Sequence, residues 1–312
     1  MSAFVNIPAS DYPPDAFDRF DPNRADIDLG NARALMWFSQ LAYETAASAT
    51  LQNAKDIWKF KSLRPLIDNK VSVTGSFDTR GVVAEHGDAT IVTFAGTDPF
   101  VWQNLFTDFT FGKTPRGTHE GFQSALDHIW DQLFAVIKDS KRPLVFTGHS
   151  LGGALAVLAA ERAFDESAKP GGDATLKPAL VYVYGMPRTG SPEWAAAYNQ
   201  KLGDKTFRFV HGSDIVSRVP RLNFHHVGRV LDCGMAEKFS LVPPAAPLSA
   251  LGSNDPTLGS GVISAAMKQV LIFAAGHLFA AAGPGVLGFT FRFLPPPIRD
   301  HLQDQYYNAL AP

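Results

Sequence analysis

The chain has 312 residues, 46% of them hydrophobic, 12% aromatic and only 19% charged. This excludes a disordered tail, a collagen-like chain and a charged coiled coil, and the length suits one large core. With 28 basic and 30 acidic side chains the net charge is −2, which gives no field to hold nucleic acid, and the lone Cys233 can neither close an intramolecular disulfide nor build a cysteine-based zinc site.

Residues 1–27, rich in Pro and Asp, read as an irregular arm, and residues 28–312 as one domain. The arm has no basic start followed by an apolar run, so no secretory leader is read. The default location is then cytoplasmic, with membrane association or export by a route invisible in sequence left open. A helical pattern from Asn31 to about Thr50 puts Ala34, Leu35, Phe38, Leu41 and Ala42 on one face. Strand-like runs follow at Lys70–Phe77, Gly81–Glu85 and 89–96, the last two joined by the turn His86-Gly87-Asp88. Asp98-Pro99 is a helix-start signal, and Pro99–Asp108 carries Phe100, Trp102, Leu105 and Phe106 at helical spacing, a core helix or a lid. A helix is predicted over Thr118–Lys138, then a strand (Pro143–Gly148), a helix (Leu151–Phe164), a strand (Ala179–Tyr184), a helix (Pro192–Leu202) and a strand (Thr206–His211). Alternating strands and helices predict an α/β fold with a mostly parallel sheet covered on both faces.

An apolar insert spans about 235–297. Within it Val270–Phe291 runs 22 residues without a formal charge, long enough on paper to span a bilayer. Gly276-His277 and Gly283-Pro284-Gly285 interrupt it, so a buried or interfacial helical hairpin is the expectation rather than a membrane span.

Gly148-His149-Ser150-Leu151-Gly152 is a G-x-S-x-G between an apolar strand and a small-residue helix. That setting puts Ser150 on a sharp turn with its hydroxyl lifted off the sheet, and the glycines allow strand and helix to pack closely. A serine nucleophile needs a base, and the base needs a carboxylate to hold its tautomer. Asp214 lies three residues beyond the strand TFRFVH, at the carboxyl end of the sheet where α/β sites gather. Of the four histidines after it, His225 and His226 open a strand-like run and His277 sits in the apolar insert. His301 begins a loop-then-helix segment that suits a base, and His226 and His277 remain alternatives. The backbone N–H of Leu151, at a helix N-terminus, and Thr97, in the loop after ATIVTFAG, are candidate oxyanion donors. The chemistry is acyl transfer with no metal and no organic cofactor.

FSQLAYET (38–45), VTFAGTDP (92–99), QNLFTDFTF (103–111), THEGFQSAL (118–126) and VFTGHSLGGALA (145–156) stand in an order that resembles the class 3 lipase family of α/β-hydrolases. VYGMPRTGSPEW (183–194), FVHGSDIVSRVP (209–220), HHVGRVLD (225–232) and IRDHLQDQYYNAL (298–310) continue it; the insert has no counterpart. The resemblance implies an α/β-hydrolase fold with Ser150 as nucleophile, Asp214 as acid and His301 as base. It also implies Thr97 and Leu151 as oxyanion donors and Asp108 orienting the Thr97 hydroxyl. The function implied is triacylglycerol hydrolysis, with a lipid or ester substrate, contact with a lipid–water interface left open and no protein partner. A shorter-chain carboxylesterase, a phospholipase, and a non-catalytic lipid-binding protein on a hydrolase scaffold remain alternatives.

Overall fold

In the computed structural model the described residues are 7–44, 48–67, 79–96, 112–220, 223–234, 238–241 and 296–312. Among them seven strands form one sheet in chain order: β1 (Ser62–Ile67), β2 (Arg80–His86), β3 (Ala89–Phe94), β4 (Leu144–His149), β5 (Pro178–Tyr184), β6 (Thr206–Val210) and β7 (Arg229–Asp232). β1, β2 and β3 pair antiparallel, and β3 through β7 pair parallel. The β2–β3 hairpin turns at Gly87, whose φ of +53° suits glycine. β1 escaped the sequence reading because Arg64 and Pro65 break its apolar alternation. An edge strand tolerates both, since proline's missing donor can face outward there. Lys70–Phe77, predicted as a strand, lies outside the described residues.

The helices are α1 (Leu29–Leu41), α2 (Ala49–Ile57), α3 (Glu120–Ile137), α4 (Leu151–Ser167), α5 (Pro192–Leu202), α6 (Pro296–Arg299) and α7 (Gln303–Ala309). The single helix predicted from Asn31 to Thr50 is in fact two. Asp28 caps α1 by accepting the Asn31 N–H at 2.9 Å, and Ser48 caps α2 by accepting the Leu51 N–H at 3.2 Å. Ser191 caps α5, with Pro192 in its first turn.

Each new parallel strand is laid beside the one before it, so right-handed crossovers put every connecting helix on the same face. α3, α4 and α5 accordingly share one core with Val92, Phe94, Phe146, Val181 and Val183. The alternate residues Ile91, Val145, Leu180, Tyr182, Tyr184, Phe207 and Phe209 point the other way. Among the described residues that second face receives no crossover helix and is closed by the segment carrying Tyr12, Ala16 and Phe17, then α1, α2 and α7. Phe17 meets Phe60 edge-on at 5.0 Å and Trp58 at 5.1 Å, so part of the arm read as irregular is core. Tyr182 and Tyr184 keep their hydroxyls satisfied there, one accepting from Asp28 N–H at 3.0 Å and the other donating to Ala32 O at 2.6 Å. This closure brings the C-terminal segment, and with it His301, to the carboxyl ends of the parallel strands.

Candidate active site

The turn at Ser150 is set by backbone stereochemistry. Ser150 has φ +59° and ψ −131°, a conformation costly for an L-residue, and it is almost fully buried. Its N–H donates to Tyr184 O at 2.9 Å, which ties the turn to the end of β5. A Cβ on Gly148 would lie 2.2 Å from Gly152 O, and one on Gly152 would lie 2.1 Å from Phe94 O. Only glycine at both positions lets the strand, the turn and α4 lie this close. Ser150 opens α4, and the Leu151 N–H is among the first donors of that helix, which have no intrahelical acceptor.

Asp214 and His301 meet across 87 residues. His301 Nδ1–H donates to the Asp214 carboxylate, 2.8 Å from each oxygen, and both side chains are fully buried. Asp214 also accepts the Val216 N–H on Oδ1 at 2.8 Å and the Tyr306 hydroxyl on Oδ2 at 2.5 Å. Three donors, the imidazole, a backbone N–H and a hydroxyl, thus converge on this carboxylate and fix its orientation. Ser150 and the pair meet through Tyr184-Gly185. Tyr184 accepts from Ser150, while a Cβ on Gly185 would lie 2.9 Å from His301 Nδ1 and 2.7 Å from Asp214 Oδ2. The predicted Ser150, Asp214 and His301 are thus brought to one place, above the ends of β4, β5 and β6.

Three supporting side chains were missed by the sequence reading. His149, the variable residue of the G-x-S-x-G, is buried, and that burial, with His301 nearby, holds its pKa well below the ordinary histidine value. Being neutral, it donates from Nε2 to the His301 carbonyl at 2.8 Å, leaving Nδ1 to accept from the Tyr43 hydroxyl at 3.3 Å. The residue before the serine therefore grips the backbone of the histidine. Tyr306 bridges two groups of the acid loop, accepting the His211 N–H at 3.1 Å while donating to Asp214. Burial and the Asp214 charge raise its pKa well above the ordinary tyrosine value, so it remains a donor. Composition and spacing carry no signal for these three, although His149, Tyr43 and Tyr306 all sit inside the motifs quoted for the family.

The alternative histidines fall elsewhere. His226 Nε2 donates to Ser217 O at 2.6 Å, bracing the acid loop from behind. His225 exchanges backbone hydrogen bonds with Thr189 and Gly190. His277 lies outside the described residues, as do Thr97, Asp108, the helix predicted at Pro99–Asp108 and Val270–Phe291. On the oxyanion side the described chain ends at Gly96, where a Cβ would lie 3.0 Å from the Ser150 Cβ. Among the described residues no cluster of His, Cys, Asp and Glu is arranged to hold a metal ion, and no helix is long and apolar enough to cross a membrane.

Residues 89–224 match the model of the class 3 lipase family. A secreted mono- and diacylglycerol lipase of Malassezia globosa is 33% identical over 138 residues, covering 41% of this chain and 43% of that one. A triacylglycerol lipase of Arabidopsis thaliana is 28% identical over 265 residues, 66% of this chain and 49% of its own. A solved lipase from Rhizopus microsporus var. chinensis aligns with TM-score 0.47 at 26% identity, over 58% of this chain and 64% of that chain. The matches span less than half the length of these two curated relatives. The cytoplasmic expectation is corrected, because similar proteins from Malassezia globosa and Fusarium solani are named as secreted lipases. It rested only on a missing leader pattern, which carries no positive signal for any compartment. A mostly parallel sheet flanked by helices, a G-x-S-x-G turn and a family match running from β3 past Asp214 make residues 89–224 similar to the class 3 lipases.

Proposed function

We propose that this protein hydrolyses carboxylic esters of lipid-like substrates, in the manner of a triacylglycerol lipase, through Ser150, His301 and Asp214. The observation that carries this reading is the buried His301–Asp214 pair held at 2.8 Å beside a serine on a strained strand-to-helix turn. Asp214 holds the imidazole with Nδ1 protonated, which leaves Nε2 as the basic nitrogen. His301 Nε2 takes the proton of Ser150 as Oγ attacks the ester carbonyl, forming the tetrahedral intermediate. The Leu151 N–H at the start of α4 stabilises its oxyanion. Thr97, one residue beyond Gly96, is the second donor in this proposal, and the family resemblance adds Asp108 to orient the Thr97 hydroxyl. Collapse of the intermediate breaks the carbon–oxygen bond to the alcohol, which leaves with the proton from His301. Water, deprotonated by the same histidine, then releases the acid and restores Ser150.

The lipid-like acyl chain is supported by the apolar sequence of the insert, which would suit contact with an acyl chain better than with a polar substrate. The names of the relatives, which are mono-, di- and triacylglycerol lipases, point the same way. The test is hydrolysis of nitrophenyl esters from acetate to palmitate by the wild type and Ser150→Ala. The expected loss in kcat is about 10⁴-fold or more with the fold intact, and activity rises toward the longer chains. A wild type that is folded and cleaves no ester overturns the reading.

A further inference from the structure

The loops that carry the acid and the base are joined a second time, one residue back along each. Ser213 precedes Asp214 and Asp300 precedes His301. Asp300 Oδ2 accepts both the N–H and the hydroxyl of Ser213, each at 2.8 Å, alongside the His301–Asp214 contact. An aspartate in a proline-rich turn is ordinarily solvated or bonded to its own backbone. Asp300 is instead 6% exposed and spends an oxygen on a loop 87 residues away. Desolvating a carboxylate costs several kcal/mol, about what two charge-assisted hydrogen bonds and a nearby cation return. The cation is Arg299, whose Nη2 lies 3.4 Å from Asp300 Oδ1. The fit leaves little slack: Gly212 has φ +54°, and a Cβ there would lie 2.4 Å from Asp300 Oδ2.

The other contacts to Asp214 differ in what they restrain. The Val216 N–H orients the carboxylate within its own loop and says nothing about where the imidazole stands. Tyr306 reaches the acid from α7 and touches Asp214 directly. Asp300 instead accepts from Ser213, and so fixes the backbone before Asp214 against the backbone before His301. We propose that Asp300 is a positioning residue for the acid–base pair, acting through Ser213 to set the distance and angle at which Asp214 meets the imidazole. The proposal rests on the hydrolase reading above. A shift of about 1 Å in a catalytic constellation costs on the order of 100-fold in rate, so a clasp of this kind has a measurable lever.

The experiment compares Asp300→Ala, Asp300→Asn, Ser213→Ala and the double variant Asp300→Ala/Ser213→Ala in the full chain. It uses two readouts: kcat and KM on a nitrophenyl ester, and the low-field proton resonance of the imidazole N–H shared by His301 and Asp214, assigned by its loss in His301→Gln. Asp300→Ala is expected to lower kcat about 30-fold with KM within about twofold, and to broaden the low-field resonance. Asp300→Asn keeps an acceptor for the Ser213 N–H and is expected to recover to within about fivefold of wild type. Adding Ser213→Ala to Asp300→Ala is expected to cost nothing further, because the partner is already gone. A sharp resonance and a kcat within about twofold of wild type in Asp300→Ala overturn the proposal. So does an Asn variant as impaired as Ala, since the charge and not the hydrogen bonds would then matter. If Asp300→Ala does not fold, a double variant Asp300→Asn/Ser213→Ala no worse than its worse single supports the clasp, and additive losses overturn it. A wild type without esterase activity would sink the hydrolase reading while the resonance still decides the clasp.

Discussion

The two halves of the site are built in opposite ways. Ser150 is held by its immediate neighbours: a strand before it, a helix after it and two glycines that let them touch. Asp214 and His301 are held by side chains reaching across the fold, from Ser213 to Asp300 and from His211 and Asp214 to Tyr306. The first half is rigid because its backbone has nowhere else to go. The second is rigid only while each of several hydrogen bonds is made. Damage to the serine turn should therefore appear first as lost stability, and damage to the acid–base half first as lost rate.

Gly152→Ala is the most direct way to break the local half. Its methyl would lie 2.1 Å from Phe94 O and 2.8 Å from Phe94 C, both backbone atoms of a central strand that cannot swing aside. Overpacking of this kind costs about 3 kcal/mol, and a drop in Tm of roughly 10 °C is expected. Thermal unfolding followed by circular dichroism measures it, and an unchanged Tm would mean that α4 does not rest on β3 as described.

Tyr306→Phe is the counterpart on the long-range half and a smaller change. It removes one oxygen, which strips Asp214 of a donor and leaves the His211 N–H without its acceptor. Losing a buried hydrogen bond to a charged group costs about 1.5–3 kcal/mol. The rate should nonetheless be the more telling readout, with kcat down about tenfold and KM little changed. A Tm falling as far as in Gly152→Ala at unchanged kcat would remove the distinction between the two halves.

What could be read from the sequence follows the same division. Ser150 with its flanking glycines is legible because five consecutive residues, Gly148 to Gly152, carry the pattern of the turn. Asp214 is legible from its place after a strand, and His301 from its place in a terminal loop before a helix. Tyr306, Asp300 and Tyr43 acquire their roles only when α7 and α1 close the second face of the sheet, and no local pattern announces that closure. The break between α1 and α2 was missed for a simpler reason, since Ser48 as a cap competes with an apolar periodicity that continues through it. β1 was missed because an edge strand need not alternate.

The finest test of the comparison uses a histidine outside the acid–base pair. His119 caps α3, its Nδ1 accepting the Gly121 N–H at 3.1 Å while its ring stacks on Phe122 at 4.2 Å. Burial lowers its pKa from the ordinary 6.5 to about 4. The unfolded chain takes up this proton as pH falls below 6.5 and the folded chain does not, so the contribution to stability is complete above 6.5 and declines on the way to 4. Glu44 works against this slope: burial raises its pKa to about 7, so its ionisation erodes stability as pH rises from 4.5 through 7. The useful quantity is therefore the difference between wild type and His119→Asn, which keeps a capping acceptor and removes the titration. Urea unfolding at pH 7 and pH 5 should show the wild type losing on the order of 1 kcal/mol more than the variant over that interval. His149, buried beside Ser150, has the same sign of pH dependence but also grips the His301 carbonyl. His149→Phe should consequently flatten the slope and lower kcat together, whereas His119→Asn flattens the slope alone. Equal slopes in wild type and His119→Asn would mean that the ring is protonated in the folded chain, and its place as a neutral acceptor at the start of α3 would have to be given up.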